Sequence, residues 1–223
     1  EMEARGDKLY AIRLDSGDLA YLAKKARKLM DDAGLHYVKI VASNQLDEFV
    51  IKSLGEQGAP IDIFGVGTSL VVGRPDAALD GVYKLTEYDG KPRIKISENI
   101  IKTSIPSLKQ VYRIKDDNEM FFGMDVIAEF DEKNIDTVYH PFEPLKTIKI
   151  GKFPSEPLLK EVVKNGEVVI EPRSISEISY FRKTQLQKLP VEYKRFDNPH
   201  IYKVSLSHKL KEQRDFLISE HKK

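Results

Sequence analysis

Apolar and polar residues alternate in two different ways along the first third of the chain. Short apolar-rich runs at residues 8–13, 36–42 and 61–64 predict three β-strands. Between them, apolar residues recur at three-and-four spacing over residues 19–33 and 46–54, which predicts two amphipathic helices. Parallel strands need a long return connection, usually a helix, so the pattern predicts a parallel α/β sheet.

Polar residues mark where the two helices begin. Asp18 stands directly before the first periodic stretch and is predicted to be its N-cap. Asn44 precedes the second stretch, with Asp47 three residues later, and this capping-box-like spacing predicts Asn44 as the cap. Ser43, the residue before it, is then the better candidate for a ligand contact.

The pattern changes after Gly81 to short strand-like segments. Asp89-Gly90 and Asn165-Gly166 are dipeptides that favour tight hairpin turns. The predicted strands lie at residues 82–88, 92–96, 110–114, 119–127, 145–150, 158–163 and 168–170. Ser174, with Glu177 three residues on, predicts the start of one helix, and a last helix is predicted near Ser207. We therefore expect an α/β region at residues 1–84 and a β-rich region with C-terminal helices at residues 85–223.

Composition narrows the classes of function. Of the 223 residues, 41% are hydrophobic and 32% charged, which is typical of globular proteins. With a net charge of +1, the chain has no overall positive potential that would attract nucleic acid or an anionic membrane surface. The absence of cysteine excludes thiolate chemistry. No signal peptide pattern is present, which favours the cytoplasm. Because the chain begins at Glu1 and a strand follows almost at once, we expect it to be the later part of a longer polypeptide.

Polar clusters follow each of the three predicted parallel strands. Residues 13–18 read Arg-Leu-Asp-Ser-Gly-Asp, residues 43–44 read Ser-Asn, and residues 65–68 read Gly-Val-Gly-Thr. Ligands bind at the carboxyl ends of parallel strands, so these three loops are predicted to form one site.

Two of the clusters suggest particular chemistry. Gly65 and Gly67, with Thr68 at a predicted helix start, would let backbone N–H groups and a hydroxyl point at a phosphate; the alternative is an ordinary tight loop. Arg13 and Asp15 occupy alternate positions at a strand end and are therefore predicted to face the same side. The arginine guanidinium can donate two parallel hydrogen bonds to an anion, and the aspartate carboxylate can accept hydrogen bonds from hydroxyls. The alternative there is a structural ion pair.

Several motifs together resemble nicotinate phosphoribosyltransferase. They are residues 13–20 (RLDSGDLA), 39–44 (KIVASN), 64–68 (FGVGT), 81–85 (GVYKL), 109–113 (KQVYR) and 198–207 (NPHIYKVSLS). The resemblance covers nearly the whole chain as the carboxyl-terminal portion of such an enzyme. It implies part of an irregular, TIM-like α/β barrel of the type II phosphoribosyltransferase kind, within a homodimer.

The resemblance also implies a reaction. Enzymes of this family join nicotinate to phosphoribosyl pyrophosphate with Mg²⁺ and ATP, and they make nicotinate mononucleotide for NAD salvage. It implies that Asp15 and Arg13 are the catalytic residues. Asp15 would bind the ribose hydroxyls, and Arg13 would bind the nicotinate carboxylate or a phosphate. The implied substrate-binding residues are Ser16, Gly17, Asp18, Ser43, Asn44, Gly65, Val66, Gly67 and Thr68, with the last four around the 5′-phosphate.

Two positions depart from the family pattern. The histidine that the family phosphorylates matches none of the five here, so we expect this chain alone to be inactive or nearly so. Pro106-Ser107 stands where Pro-Gly is expected. The alternatives are a nicotinamide phosphoribosyltransferase-like enzyme, against which Leu14 and the loop at residues 65–68 argue, and a phosphate-binding module without a reaction of its own.

Overall fold

The computed structural model describes residues 2–74, 76–78, 81–143, 145–151 and 153–221. The packing of the backbone divides the chain into two compact units, residues 1–82 and residues 83–223. Among the described residues, no helix is both long enough and apolar enough to cross a bilayer.

The first unit is a parallel sheet with helices between its strands. Its strands and helices are β1 (Ala11–Leu14), α1 (Leu19–Asp32), β2 (Lys39–Ser43), α2 (Glu48–Glu56), β3 (Ile63–Gly65) and α3 (Thr68–Val71). The strand order is β1-β2-β3, and both strand pairs are parallel. The parallel α/β arrangement that the apolar pattern predicts is therefore present in this unit.

Helix α1 forms because its sequence supplies a start, a buried face and a stop. The Asp18 carboxylate accepts the Tyr21 N–H at 3.0 Å and caps the first turn. Ala23 and Met30 are buried in one cluster with Val38, which directly precedes β2, and with Ile40 on β2. After the helix, Gly34 adopts a φ of +74°, a conformation that glycine reaches without steric cost.

Helix α2 corrects the predicted cap. The helix begins at Glu48, and the Asp47 carboxylate accepts the Val50 N–H at 2.8 Å. The prediction of Asn44 as the cap is therefore wrong. Both residues are good capping types, but only Asp47 combines an extended backbone with a position directly before the first helical residue.

The second unit is built on a six-stranded mixed sheet in the order β10-β6-β7-β13-β8-β9. Its strands and helices are β4 (Glu87–Tyr88), β5 (Lys91–Pro92), β6 (Lys109–Lys115), β7 (Phe121–Glu129), β8 (Thr137–Tyr139), β9 (Thr147–Lys149), β10 (Ser155–Pro157), β11 (Val163–Lys164), β12 (Glu167–Val168), α4 (Ile175–Lys188), β13 (Lys203–Ser207) and α5 (His208–Glu220). Strand β13 pairs parallel to β7 and antiparallel to β8, so the chain returns to the middle of the sheet after a long excursion.

A buried polar group helps to hold this sheet together. The Asp125 carboxylate on β7 accepts hydrogen bonds from Nε and one terminal nitrogen of the Arg113 guanidinium, both at 3.0 Å. It also accepts a hydrogen bond from the Tyr202 hydroxyl at 2.8 Å. Burial, together with this hydrogen bond, raises the pKa of Tyr202. Since all three groups are satisfied, the cluster joins β6, β7 and the start of β13 without leaving a buried charge unpaired.

Candidate functional site

The register of the parallel strands brings the three polar loops to one edge of the sheet. Leu14 pairs with Ala42, and Ala42 pairs with Phe64. The next residue of β2, Ser43, pairs with Gly65 of β3. Asp15 follows Leu14 directly, so it stands one residue beyond the same register position. The loops at residues 13–18, 43–44 and 65–68 therefore leave the sheet side by side.

Arg13 and Asp15 form the ion pair that was the alternative to a substrate-binding role. Their guanidinium and carboxylate lie 2.9 Å apart, with side-chain exposures of 66% and 49%. An exposed pair of this kind stabilises a fold by only about 0–1 kcal/mol. Both groups are consequently open to a ligand that offers each of them a better partner.

The turn after β1 is shaped by Gly17. Its φ is +74°, and a β-carbon there would come within 3.2 Å of the Leu22 side chain, so the turn is closed by a close approach to α1. Ser16 is exposed beside it. Asp18 is occupied as the cap of α1, which leaves Asp15 as the carboxylate of this loop without a helix-capping task.

Ser43 is the site residue with the most informative environment. Among the described residues, its hydroxyl oxygen is a buried side-chain polar atom with no hydrogen-bond partner. Leaving such a group unpaired costs about 1–3 kcal/mol, so each case calls for an explanation. A ligand oxygen at the strand ends would satisfy it.

The residues after Ser43 have an unusual backbone. Asn44 and Gln45 have φ values of +85° and +46°, and both are exposed. Asparagine tolerates this region, whereas glutamine has no special preference for it. Sequence reasoning did not identify Gln45, because nothing in its side chain indicates a positive φ.

The loop after β3 begins beside Ser43. A β-carbon at Gly65 would lie 3.4 Å from that of Ser43, which is an ordinary van der Waals contact between the two strand ends. Gly67 precedes the single turn of α3 and has no side-chain cap, and Thr68 is exposed. Val66 packs beside the buried Leu46 cluster, which makes its side chain part of the core.

Metal binding by protein side chains alone is not supported in the described part of the chain. No group of three or more histidine, aspartate or glutamate side chains there could hold an ion. Mg²⁺ that is bound together with phosphate oxygens usually takes only one or two protein carboxylates.

Comparisons with known proteins agree on one enzyme family. Residues 108–214 match the model of the nicotinate phosphoribosyltransferase C-terminal domain. Nicotinate phosphoribosyltransferase of Bacillus subtilis (strain 168) is 41% identical over 212 residues, which are 91% of this chain and 43% of that protein. The Dictyostelium discoideum protein of the same name is 36% identical over 225 residues, 92% of this chain and 38% of that protein. The chain thus spans about two fifths of the length of these relatives.

Solved structures give the same result at the level of the fold. The crystal structure of human nicotinic acid phosphoribosyltransferase superposes with a TM-score of 0.74 and 25% identity, over 96% of this chain and 41% of that one. Nicotinate-nucleotide pyrophosphorylase from Pyrococcus furiosus superposes with a TM-score of 0.53 and 26% identity, over 81% of this chain and 40% of that one. The mixed α/β fold is therefore shared with the matched parts of these proteins.

Proposed function

Because the chain is similar to nicotinate phosphoribosyltransferases over nearly its whole length, which confirms the resemblance of its motifs, we propose that it carries part of the active site of such an enzyme. The reaction joins nicotinate to phosphoribosyl pyrophosphate and releases pyrophosphate, with ATP hydrolysed to ADP and phosphate. The product, nicotinate mononucleotide, enters NAD salvage. The names of the relatives favour nicotinate over nicotinamide.

The observation that carries the assignment of the site is the unpartnered Ser43 hydroxyl at the same edge as Asp15 and Gly65. A phosphoribosyl group offers hydroxyls for the carboxylate and phosphate oxygens for hydroxyl and backbone donors. One ligand would thus satisfy the Ser43 donor and bridge the loops that the strand register brings together.

The residues act by positioning and by electrostatic support. When pyrophosphate departs from C1, the ribose carries oxocarbenium-like positive charge and needs no covalent nucleophile. Asp15 accepts hydrogen bonds from the ribose hydroxyls, and this releases Arg13 to hold the nicotinate carboxylate or a phosphate. Because their exposed ion pair contributes little to stability, breaking it to bind substrate costs little free energy.

The remaining loop residues would complete the pocket. Ser16 and Gly17 line it after β1, Asn44 lines it after β2, and the backbone from Gly65 to Thr68 surrounds the 5′-phosphate. Asp18 contributes through the fixed start of α1, and Val66 contributes through its backbone. Mg²⁺ would be held through the phosphates of phosphoribosyl pyrophosphate, and it would supply polarisation of the leaving pyrophosphate.

The chain represents about two fifths of its relatives, so we propose that the other parts of the enzyme come from outside it. The three parallel strands would be part of an irregular α/β barrel, and residues 85–223 would pack with the portion that the chain lacks. The phosphate-accepting histidine that couples ATP hydrolysis would also lie there. The complete enzyme would be a cytoplasmic homodimer.

Calorimetric titration with magnesium phosphoribosyl pyrophosphate tests the site. We expect Asp15→Asn to weaken binding at least tenfold, since it removes the acceptor for the ribose hydroxyls. Asp7→Asn is the matched control, because Asp7 also forms an exposed pair with an arginine, Arg5, but lies outside the strand-end loops. Equal affinities for the two variants would remove Asp15 from the site.

A turnover assay tests the second part of the proposal. We expect no nicotinate-dependent release of pyrophosphate from the 223-residue chain alone. Detectable release would contradict the proposal that the chain lacks essential parts of the enzyme.

A further inference from the structure

A cleft of about 930 Å³ lies in the second unit, on residues that have no part in the proposed reaction. This volume falls within the range of about 300–1,000 Å³ that is usual for small-molecule sites. Its lining includes His140, Glu143, Lys146, Ile148, Arg195 and Lys203.

The floor of the cleft is a rigid sheet surface. Val138 on β8 pairs with Ile148 on β9 and with Ser207 on β13. Paired residues share a face, as do alternate residues along a strand, so Ser205 and Lys203 project to the same side as Val138. Val138 is fully buried and Ser205 nearly so, which places a closely packed sheet beneath the cationic Lys203.

The carboxylate in the wall is already neutralised. Lys146 Nζ lies 2.7 Å from a Glu143 carboxylate oxygen. His140 accepts the Phe142 and Glu143 N–H groups at its Nδ1, at 3.2 and 3.1 Å, which directs its other nitrogen toward Glu143 at 3.6 Å. Glu143 is therefore already paired within its own wall of the cleft.

Two cations remain uncompensated at the rim. Within the described part of the chain, neither Arg195 nor Lys203 makes an ion pair or a side-chain hydrogen bond, although both line the cleft. A guanidinium binds phosphate in a bidentate manner, and a lysine adds a point charge. The same cleft is also lined by apolar side chains that reach its surface, namely Leu145, Ile148 and Ile201.

We propose that this cleft binds a small molecule that carries a phosphate group on an apolar or aromatic body. The phosphate lies between Arg195 and Lys203, and the body of the molecule covers Ile148 and Ile201. The site is separate from the strand-end loops and does not depend on the function proposed for them.

Phenyl phosphate is the probe, followed by amide chemical shifts in NMR titrations of the 223-residue chain. We expect saturable shifts at residues 145–148 and 195–201, weaker binding of inorganic phosphate, and no binding of phenol. Arg195→Gln and Lys203→Gln should each weaken binding by about fivefold, the size expected for one exposed charge pair. Arg182→Gln is the matched control, because Arg182 is exposed on α4 and does not line the cleft.

The proposal would be overturned if Arg195→Gln and Lys203→Gln weakened the binding of phenyl phosphate no more than the control Arg182→Gln does. It would also be overturned by shifts confined to the strand-end loops, with binding lost in Asp15→Asn, because the phosphate would then occupy the other site. Phenyl phosphate binding that persists in Asp15→Asn supports the cleft, whatever the outcome for phosphoribosyl pyrophosphate.

Discussion

Ser107 combines an unfavourable backbone with a favourable side-chain contact. Its φ of +68° lies in the left-handed region, which explains why glycine is the residue expected at this position. Its side chain is nearly buried, and the hydroxyl donates a hydrogen bond to the Gln213 side chain on α5. The hydrogen bond offsets the conformational cost, so serine is tolerated here.

Two substitutions at Ser107 separate these contributions. Ser107→Ala loses the hydrogen bond and keeps the strain, so the free energy of unfolding should fall by about 1 kcal/mol. Ser107→Gly loses the same bond but removes the strain, so it should be more stable than Ser107→Ala by about 1 kcal/mol. Urea unfolding measures both values. Equal stability of the two variants would show that the left-handed backbone carries no cost.

The strand-end residues show what sequence can and cannot predict about a site. Arg13, Asp15 and Asp18 follow from their residue types and from the strand boundary, and the structure places them as an ion pair and a cap. The burial of the Ser43 hydroxyl without a partner is a property of the folded strand ends, which no local sequence pattern contains. Whether these residues bind substrate stays a prediction.

Among the elements, local signals predicted the hairpin turns, whereas several strands of the six-stranded sheet were missed. Asp89 and Gly90 both have positive φ, as do Asn165 and Gly166, which confirms both hairpin turns. Strands β8, β10 and β13 were not predicted; β10 pairs with β6 and β13 with β7, both of which are far away in the sequence. Short strands depend on such distant partners more than on their own apolar pattern.

Helix α4 differs from α1 in what holds it. α1 buries Ala20, Ala23 and Met30, whereas no residue of α4 is buried. The capping box between Ser174 and Glu177 is present as predicted, with the Glu177 N–H donating to the Ser174 hydroxyl at 3.2 Å. The stability of α4 therefore rests largely on local interactions within its own sequence.

Amide hydrogen exchange tests this difference. We expect amides of α4 to exchange faster than those of α1, because opening α4 exposes little apolar surface. Ser174→Ala should speed exchange in α4 by about fivefold, which corresponds to about 1 kcal/mol for a lost N-cap. Ser176→Ala, an exposed position in the same first turn, is the control and should not speed exchange. Protection of α4 equal to that of α1 would mean that α4 packs against another surface.

At the scale of the whole molecule, the chain contains two separately packed cores. Residues 1–82 hold clusters around Ile40 and Leu46, and residues 83–223 hold a cluster around Val126. The spacing of apolar residues changes after Gly81 because the two units are built differently. Parallel α/β units and short antiparallel strands have different apolar periods. Compact units with their own cores can unfold separately.

A matched pair of core substitutions tests whether they do. Val38→Ala affects the first unit and Val138→Ala the second, and the two valines are 1% and 0% exposed. The chemistry removed is the same, so each should lose about 2 kcal/mol from its own unit. Scanning calorimetry, with exchange labelling to assign the transitions, should show two transitions, of which each variant lowers only one. A single transition lowered by both variants would show instead that the chain unfolds as one cooperative body.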